Sequence, residues 1–170
     1  SCITKQECYL AMGPIKYSEY CIATPEVAGE FGLTTWDLPV GMGVNAAIIT
    51  SDSRVILMRS SDAVDFPGRI GVPGGLYDGG HPFDVARKEI YEEVGILAEK
   101  LNNLVLLGIS FRSEDRFVHV LSFFAQTPLS SQVLLKLAAN APDRWEGEIF
   151  AEDWERDEVR SALAVIGSLK

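Results

Sequence analysis

Glu89, Glu92 and Glu93 stand at i, i+3 and i+4 in the run Lys88-Glu89-Ile90-Tyr91-Glu92-Glu93-Val94. That spacing puts all three carboxylates on one face of a helix. Like charges so placed repel, by roughly a few tenths of a kcal/mol per pair in an isolated helix. A divalent cation reverses the balance, because Mg²⁺ prefers carboxylate oxygens, keeps several waters and bridges to phosphates. Phe83, Ala86, Ile90 and Val94 form an apolar stripe on the other side, the face that should pack on a core. Three glutamates on a solvated helix are common. The preceding Pro73-Gly74-Gly75, Pro82 at the first helical position and Gly95 at the helix end make this pattern far more specific.

Residues 73–96, PGGLYDGGHPFDVARKEIYEEVGI, resemble the box of the Nudix family. The family pattern is a glycine, five residues, a glutamate, seven residues, then Arg-Glu-aliphatic-x-Glu-Glu-x-Gly-aliphatic. Lys88 to Ile96 reproduce the second half with Lys for Arg, and His81-Pro82 takes the Ser/Thr-Pro position that often starts the helix. Counting back from Lys88, Gly80 stands where the first box glutamate belongs, and a one-residue deletion in the loop accounts for the loss. A second resemblance, to a Nudix branch that hydrolyses UDP-sugars, lies in Asp37–Ala47, Arg59-Ser60, Phe66-Pro67-Gly68 and Val72-Pro73-Gly74-Gly75.

The elements that must position these groups follow from periodicity and turn signals. Val44–Thr50 and Val55–Arg59 are apolar runs joined by Ser51-Asp52-Ser53-Arg54, a hairpin signal. Ile70–Val72 leads into the glycine turn, Pro82–Val94 is the box helix, and Leu104–Ser110 and Phe117–Gln126 read as strands around the charged turn Arg112–Arg116. A short helix is expected over Gln132–Asn140, a strand over Glu148–Phe150 and a closing helix whose firmest part is Asp157–Ile166. Strand pairs mixed with helices predict an α/β fold; the resemblance implies a Nudix-type α/β/α sandwich with a mixed sheet. The expected organisation is an N-terminal extension, 1–42, packed on a Nudix domain, 43–170. Within the extension, Tyr9–Met12 and Tyr17–Ala23 read as short strands, and Thr24-Pro25-Glu26 as the start of a short helix.

The reaction the resemblance implies is attack of water on a phosphoanhydride linking a nucleoside to another group. Glu89, Glu92 and Glu93 would then be ligands of Mg²⁺, with Mn²⁺ as substitute and a backbone carbonyl of Gly74 or Gly75 as further donor. Glu92 and Glu93 would also serve the catalytic step. A general base would come from a later loop: Glu146 and Glu148 first, Glu114 and Asp115 second. Substrate contacts fall to Arg59, Gly75 and Lys88. A lysine at 88 keeps the charge of the family's arginine but lacks its bidentate fork. With the box glutamate gone, it has no carboxylate to grip. His81 reads as a helix cap and His119 as a sheet-face residue, while Phe31, Trp36 and Tyr20 are candidates for stacking on a base.

Composition narrows the partners. The chain has 170 residues, a net charge of −9, 47% apolar residues and 23% charged, the profile of one ordinary globular domain. A pI near 4.7 argues against a nucleic-acid footprint, which would show as a basic stripe, and so against RNA decapping. No apolar run approaches the ~20 residues that cross a bilayer, and no leader-like segment opens the chain. Cys2, Cys8 and Cys21 are an odd set without zinc spacing, as expected for free thiols in a reducing compartment such as the cytoplasm. The expected partner is a small nucleotide: a UDP-sugar by preference, ADP-ribose as the alternative. The proline that many ADP-ribose hydrolases carry beyond the box is missing here, the next being Pro128. A Nudix-fold binding module without catalysis is the reading from a different class.

Overall fold

The chain divides into two compact units, Ser1–Pro39 and Val40–Lys170. A computed structural model describes residues 25–34, 41–64, 67–112 and 118–153. In the first unit these form helix α1, Pro25–Glu30. Its chain then turns through Gly32 at φ +68, and the N–H of Leu33 returns to the carbonyl of Ala28 at 2.9 Å. This is the glycine-terminated short helix the sequence implied. The strands expected before it, the Thr24 cap, Tyr20 and Trp36 lie outside the described residues.

The second unit runs β1 (Met42–Ile49), β2 (Arg54–Ser60), β3 (Ile70–Gly71), β4 (Gly74–Leu76), α2 (Pro82–Val94), a 3₁₀ turn (Ala98–Lys100), β5 (Asn102–Arg112), β6 (Val118–Gln126), α3 (Ser131–Ala138) and β7 (Gly147–Asp153). Among the described residues seven strands make one mixed sheet, ordered β3-β2-β1-β6-β5, with β4 added to β1 and β7 to β2. The expected hairpin forms, pairing Ile48 with Ile56 and Ile49 with Val55. Beyond those pairs the two strands part. β1 is met by β4 on one side and runs parallel to β6 on the other, while β2 takes β7 along its whole length. β4 was expected to be turn only. It is a strand because Gly74 and Gly75 pair with Asn45 and Val44 of β1.

Alternation along the strands sorts the core. Val44, Ala46, Ile48, Ile56, Leu121 and Phe123 face α2, meeting Val85, Ala86, Ile90 and Val94 of that helix and Leu134 of α3. Phe83 meets Phe123 edge-on with centroids 5.1 Å apart. A smaller cluster on the other face joins Val55 and Leu57 to Ile49, Val72 and Phe150. The closing helix expected at Asp157–Ile166 lies outside the described residues, as does the turn holding Glu114 and Asp115.

Two ends are fixed by contacts distant in sequence. Gly95 closes α2 at φ +76, its N–H bonded to the carbonyl of Tyr91; a Cβ there would crowd the Leu137 backbone, so glycine also lets α3 approach. At the start of α3 the Ser130 side chain makes no cap bond. Asp52 of the β1–β2 turn caps instead, accepting from Ser131 N at 2.8 Å and Ser131 Oγ at 2.6 Å. These bonds hold its carboxyl well below the usual range.

Candidate active site

Helix α2 starts at Pro82, with His81 at the N-cap position in extended conformation. The expected capping bond from the His81 side chain is not made; its ring packs on Phe83 at 5.6 Å. From that start the helix carries Lys88, Glu89, Glu92 and Glu93 past the Gly74–Gly75 strand. The three carboxylates do not share one exposed face as expected. Glu93 is only 2% exposed, whereas Glu89 and Glu92 are half-buried. The i, i+4 position turns Glu93 under β4, where its Oε2 accepts the N–H of Gly74 at 2.7 Å and its Oε1 has no hydrogen-bond partner among the described residues.

Both box glycines are there for space. A Cβ on Gly74 would strike the carbonyl of Val44 and the backbone of Asn45, and one on Gly75 would strike the Glu89 carboxylate. Gly74 meets the cluster with its N–H, and Gly75 forms the wall beside Glu89.

Glu146 arrives from the far end of the chain. Asp143 N bonds the Glu92 carbonyl at 2.7 Å, Glu146 N bonds the Asp143 carbonyl at 2.9 Å, and Ser61 N bonds the Glu146 carbonyl at 2.8 Å. These bonds lash the loop before β7 to both α2 and β2. Glu146 lies near enough for its charge to raise the proton affinity of Glu89 and Glu93. Asp143, to which the sequence pattern assigns no role, adds to the same field at Glu93 and Glu146.

The electrostatics follow from burial and crowding. Burial is the main cause that pushes Glu93 up to about 8, against the pull of the Gly74 N–H and with help from Glu89, Glu146 and Asp143. Burial likewise pushes Glu89 up to about 7, opposed by Lys88 and reinforced by Glu92, Asp78 and Glu146. Glu146 is raised by burial, then by Asp143 and Glu92. Such acids gain most from a cation that replaces the proton.

An all-oxygen donor set with a buried, unpartnered Glu93 Oε1 fits a hard divalent cation. Among the described residues no three His, Cys, Asp or Glu side chains enclose a metal position as they stand.

Lys88 is not left without a carboxylate. Its Nζ lies 2.6 Å from Asp78 Oδ2 and 3.8 Å from Glu92 Oε2. The loop between is not shortened either: five residues separate Gly74 from Gly80 and seven separate Gly80 from Lys88, which is the family spacing. The first box glutamate is replaced rather than deleted. Gly80 sits at φ +93 and Gly79 at +103, a path strained for any L side chain.

Arg59 and Glu148 are not brought to the carboxylates. They are paired with each other at 3.6 Å, both half-exposed or more, and Arg59 lies over the Phe150 ring at 5.6 Å. Alternation puts Arg59 with Leu57, on the sheet face turned away from α2. His119 is a half-buried residue of β6. A cavity of about 560 Å³ opens nearby; among the described residues its walls come from α3, the following loop and β7, including Leu135, Pro142, Trp145 and Ile149.

Comparison with known proteins agrees with this architecture. The NUDIX domain model matches residues 39–163. The mouse uridine diphosphate glucose pyrophosphatase NUDT22 is 30% identical over 135 residues, covering 65% of this chain and 44% of that protein. Its human counterpart is 30% identical over 130 residues, 64% and 43%. The chain thus spans under half the length of these relatives. Among solved structures, a mutT/nudix family protein from Listeria innocua superposes with a TM-score of 0.52 at 18% identity, covering 75% of this chain and 94% of the other. A MutT NUDIX hydrolase from Burkholderia pseudomallei gives 0.52 at 21%, covering 74% and 97%. No helix among the described residues is long and apolar enough to cross a membrane.

Proposed function

The chain belongs to the Nudix hydrolase family, and we propose that it hydrolyses the diphosphate bond of a nucleoside diphosphate joined to a second group, with a UDP-sugar as substrate. The observation that carries this reading is the meeting of Glu89, Glu92 and Glu93 with Glu146 around the Gly74–Gly75 strand. Similarity to proteins named as uridine diphosphate glucose pyrophosphatases supports the choice of uridine and sugar.

In this reading Glu89, Glu92 and Glu93 hold Mg²⁺, with Mn²⁺ as substitute. Held there, such a cation would supply charge neutralisation at the diphosphate and lower the pKa of the attacking water. Glu93 is fixed by the Gly74 N–H, so one of its oxygens is presented and the other anchored. Glu146 is the general base. Its backbone is held from both sides, and its raised proton affinity brings it nearer the working pH, where a base is most effective. It accepts a proton from water as the oxygen bonds to phosphorus and the bridging P–O bond breaks, giving UMP and sugar 1-phosphate. Glu148, held by Arg59 on the other face, takes no part in this scheme.

The test is a product assay over UDP-glucose, UDP-galactose, ADP-ribose, dinucleoside polyphosphates, CoA and NADH, with Mg²⁺ and with Mn²⁺. UMP and hexose 1-phosphate should form fastest from the UDP-sugars. Faster cleavage of ADP-ribose removes the UDP-sugar assignment and leaves the hydrolase. Binding of nucleotide without turnover of any of them, as a retired site carrying Gly80 in place of the box glutamate would give, removes the hydrolase.

A further inference from the structure

One ammonium serves two carboxylates at the edge of the site. Lys88 Nζ is 2.6 Å from Asp78 Oδ2 but 3.8 Å from Glu92 Oε2. The first is a short, charge-assisted hydrogen bond; the second is an ion pair at its outer limit. Glu92 lies one helical turn beyond Lys88, and rotation about the flexible lysine stem would close that gap. An ammonium bonded to Glu92 would occupy an oxygen that a divalent cation needs.

The loop explains why Asp78 reaches Lys88. Gly79 and Gly80 both take positive φ, and the Tyr77 hydroxyl bonds the Gly80 carbonyl. That fold presents Asp78 toward the middle of α2, ten residues away in sequence. A glutamate at 80 would strain this path, so the carboxylate comes from two residues earlier.

We propose that Asp78 is a positioning residue that holds Lys88 off Glu92 and so leaves the Glu92 carboxylate to a divalent cation. The role rests on the metal-dependent reading of Glu92 given above, and is independent of which nucleotide is cleaved. Asp78 acts through Lys88, not as a ligand. Removing it should therefore harm the metal site only while Lys88 is present.

The experiment is Mn²⁺ binding to the metal-free chain, followed by the EPR signal of free Mn²⁺, for the unsubstituted protein, Asp78→Asn, Lys88→Met and the double variant. Asparagine keeps the shape and turn preference of aspartate, and melting temperatures check that each variant is folded. Asp78→Asn alone should weaken Mn²⁺ about five-fold, as expected for a partly exposed ion pair redirected to Glu92. In the Lys88→Met background the same change should alter affinity less than about two-fold, and Asp78→Glu should retain the original affinity. An equal loss in both backgrounds overturns the proposal, because Asp78 would then act on the cation directly or through the turn. Unchanged affinity in Asp78→Asn overturns it as well. Absence of Mn²⁺ binding by the unsubstituted chain sinks the metal-site reading itself, and the proposal with it.

Discussion

Glu93 and Gly74, nineteen residues apart, are joined by a 2.7 Å hydrogen bond from the Gly74 N–H to Glu93 Oε2. This bond ties the box helix to the strand that precedes it and holds a buried carboxylate whose other oxygen is not hydrogen-bonded by any described residue. A structural salt bridge would have answered both oxygens. Here one is satisfied by backbone and the second has no hydrogen-bond partner among the described residues.

The first consequence is a pH-dependent stability of the metal-free protein. Glu93 titrates near 8 in the folded chain, against 4.5 for an ordinary glutamate. Between those values the folded state holds a proton the unfolded chain has lost, so stability falls as pH rises through that window. Glu93→Gln mimics the protonated acid. Its melting temperature in EDTA should decline less than that of the unsubstituted chain from pH 5 to pH 8, as read by calorimetry. Parallel curves for the two proteins would show that Glu93 is ionised already.

Metal binding should release protons. With Glu89 near 7 and Glu93 near 8, a cation arriving at pH 7 displaces roughly one proton or more. Titration calorimetry in buffers of different ionisation enthalpy should detect this release. Mg²⁺ affinity should rise from pH 6 to pH 8 and level off above it. A flat profile would contradict ligation by these two groups.

Glu92 is the glutamate that can be changed with least cost to the fold. It is 29% exposed on its side chain, and its carboxylate meets the Lys88 ammonium only at 3.8 Å. Glu92→Gln should keep the melting temperature within a few degrees while turnover drops at least ~10²-fold, since a charged ligand is lost where transition-state charge develops. Near-normal turnover would remove α2 from the mechanism.

Gly75→Ala tests the wall of the site. The new methyl must displace the Glu89 carboxylate, the flexible end of a side chain, so the fold should survive with a small change in melting temperature. Divalent-cation affinity should fall several-fold, measurable by Mn²⁺ EPR without any substrate.

Asp52→Ala provides a contrast remote from the carboxylates. It removes the two bonds that cap α3 and should cost about 1 kcal/mol, in the range of helix caps. The loss should appear in urea denaturation with Mn²⁺ affinity unchanged.

What the sequence determined by itself is local. The span of α2, its proline start, its Gly95 stop and its apolar stripe follow from a 3.6-residue period and from backbone preferences that hold anywhere in a chain. The β1–β2 hairpin was legible for the same reason, and so was the placing of three glutamates on one helix. Tertiary structure decided everything that depends on approach from a distance. Glu146 and Glu148 are alike in sequence, two residues apart, and only the pairing of β7 with β2 sends Glu148 to Arg59 while loop bonds to α2 hold Glu146 near the carboxylates. Glu93 looked as exposed as Glu92 until β4, a strand too short and glycine-rich to show a period, closed over it. The hold of Asp78 on Lys88 depends on two positive-φ glycines folding the loop back along the helix. Periodicity reports which way a side chain points from its own backbone; which backbone lies opposite is set by the packing of the whole sheet.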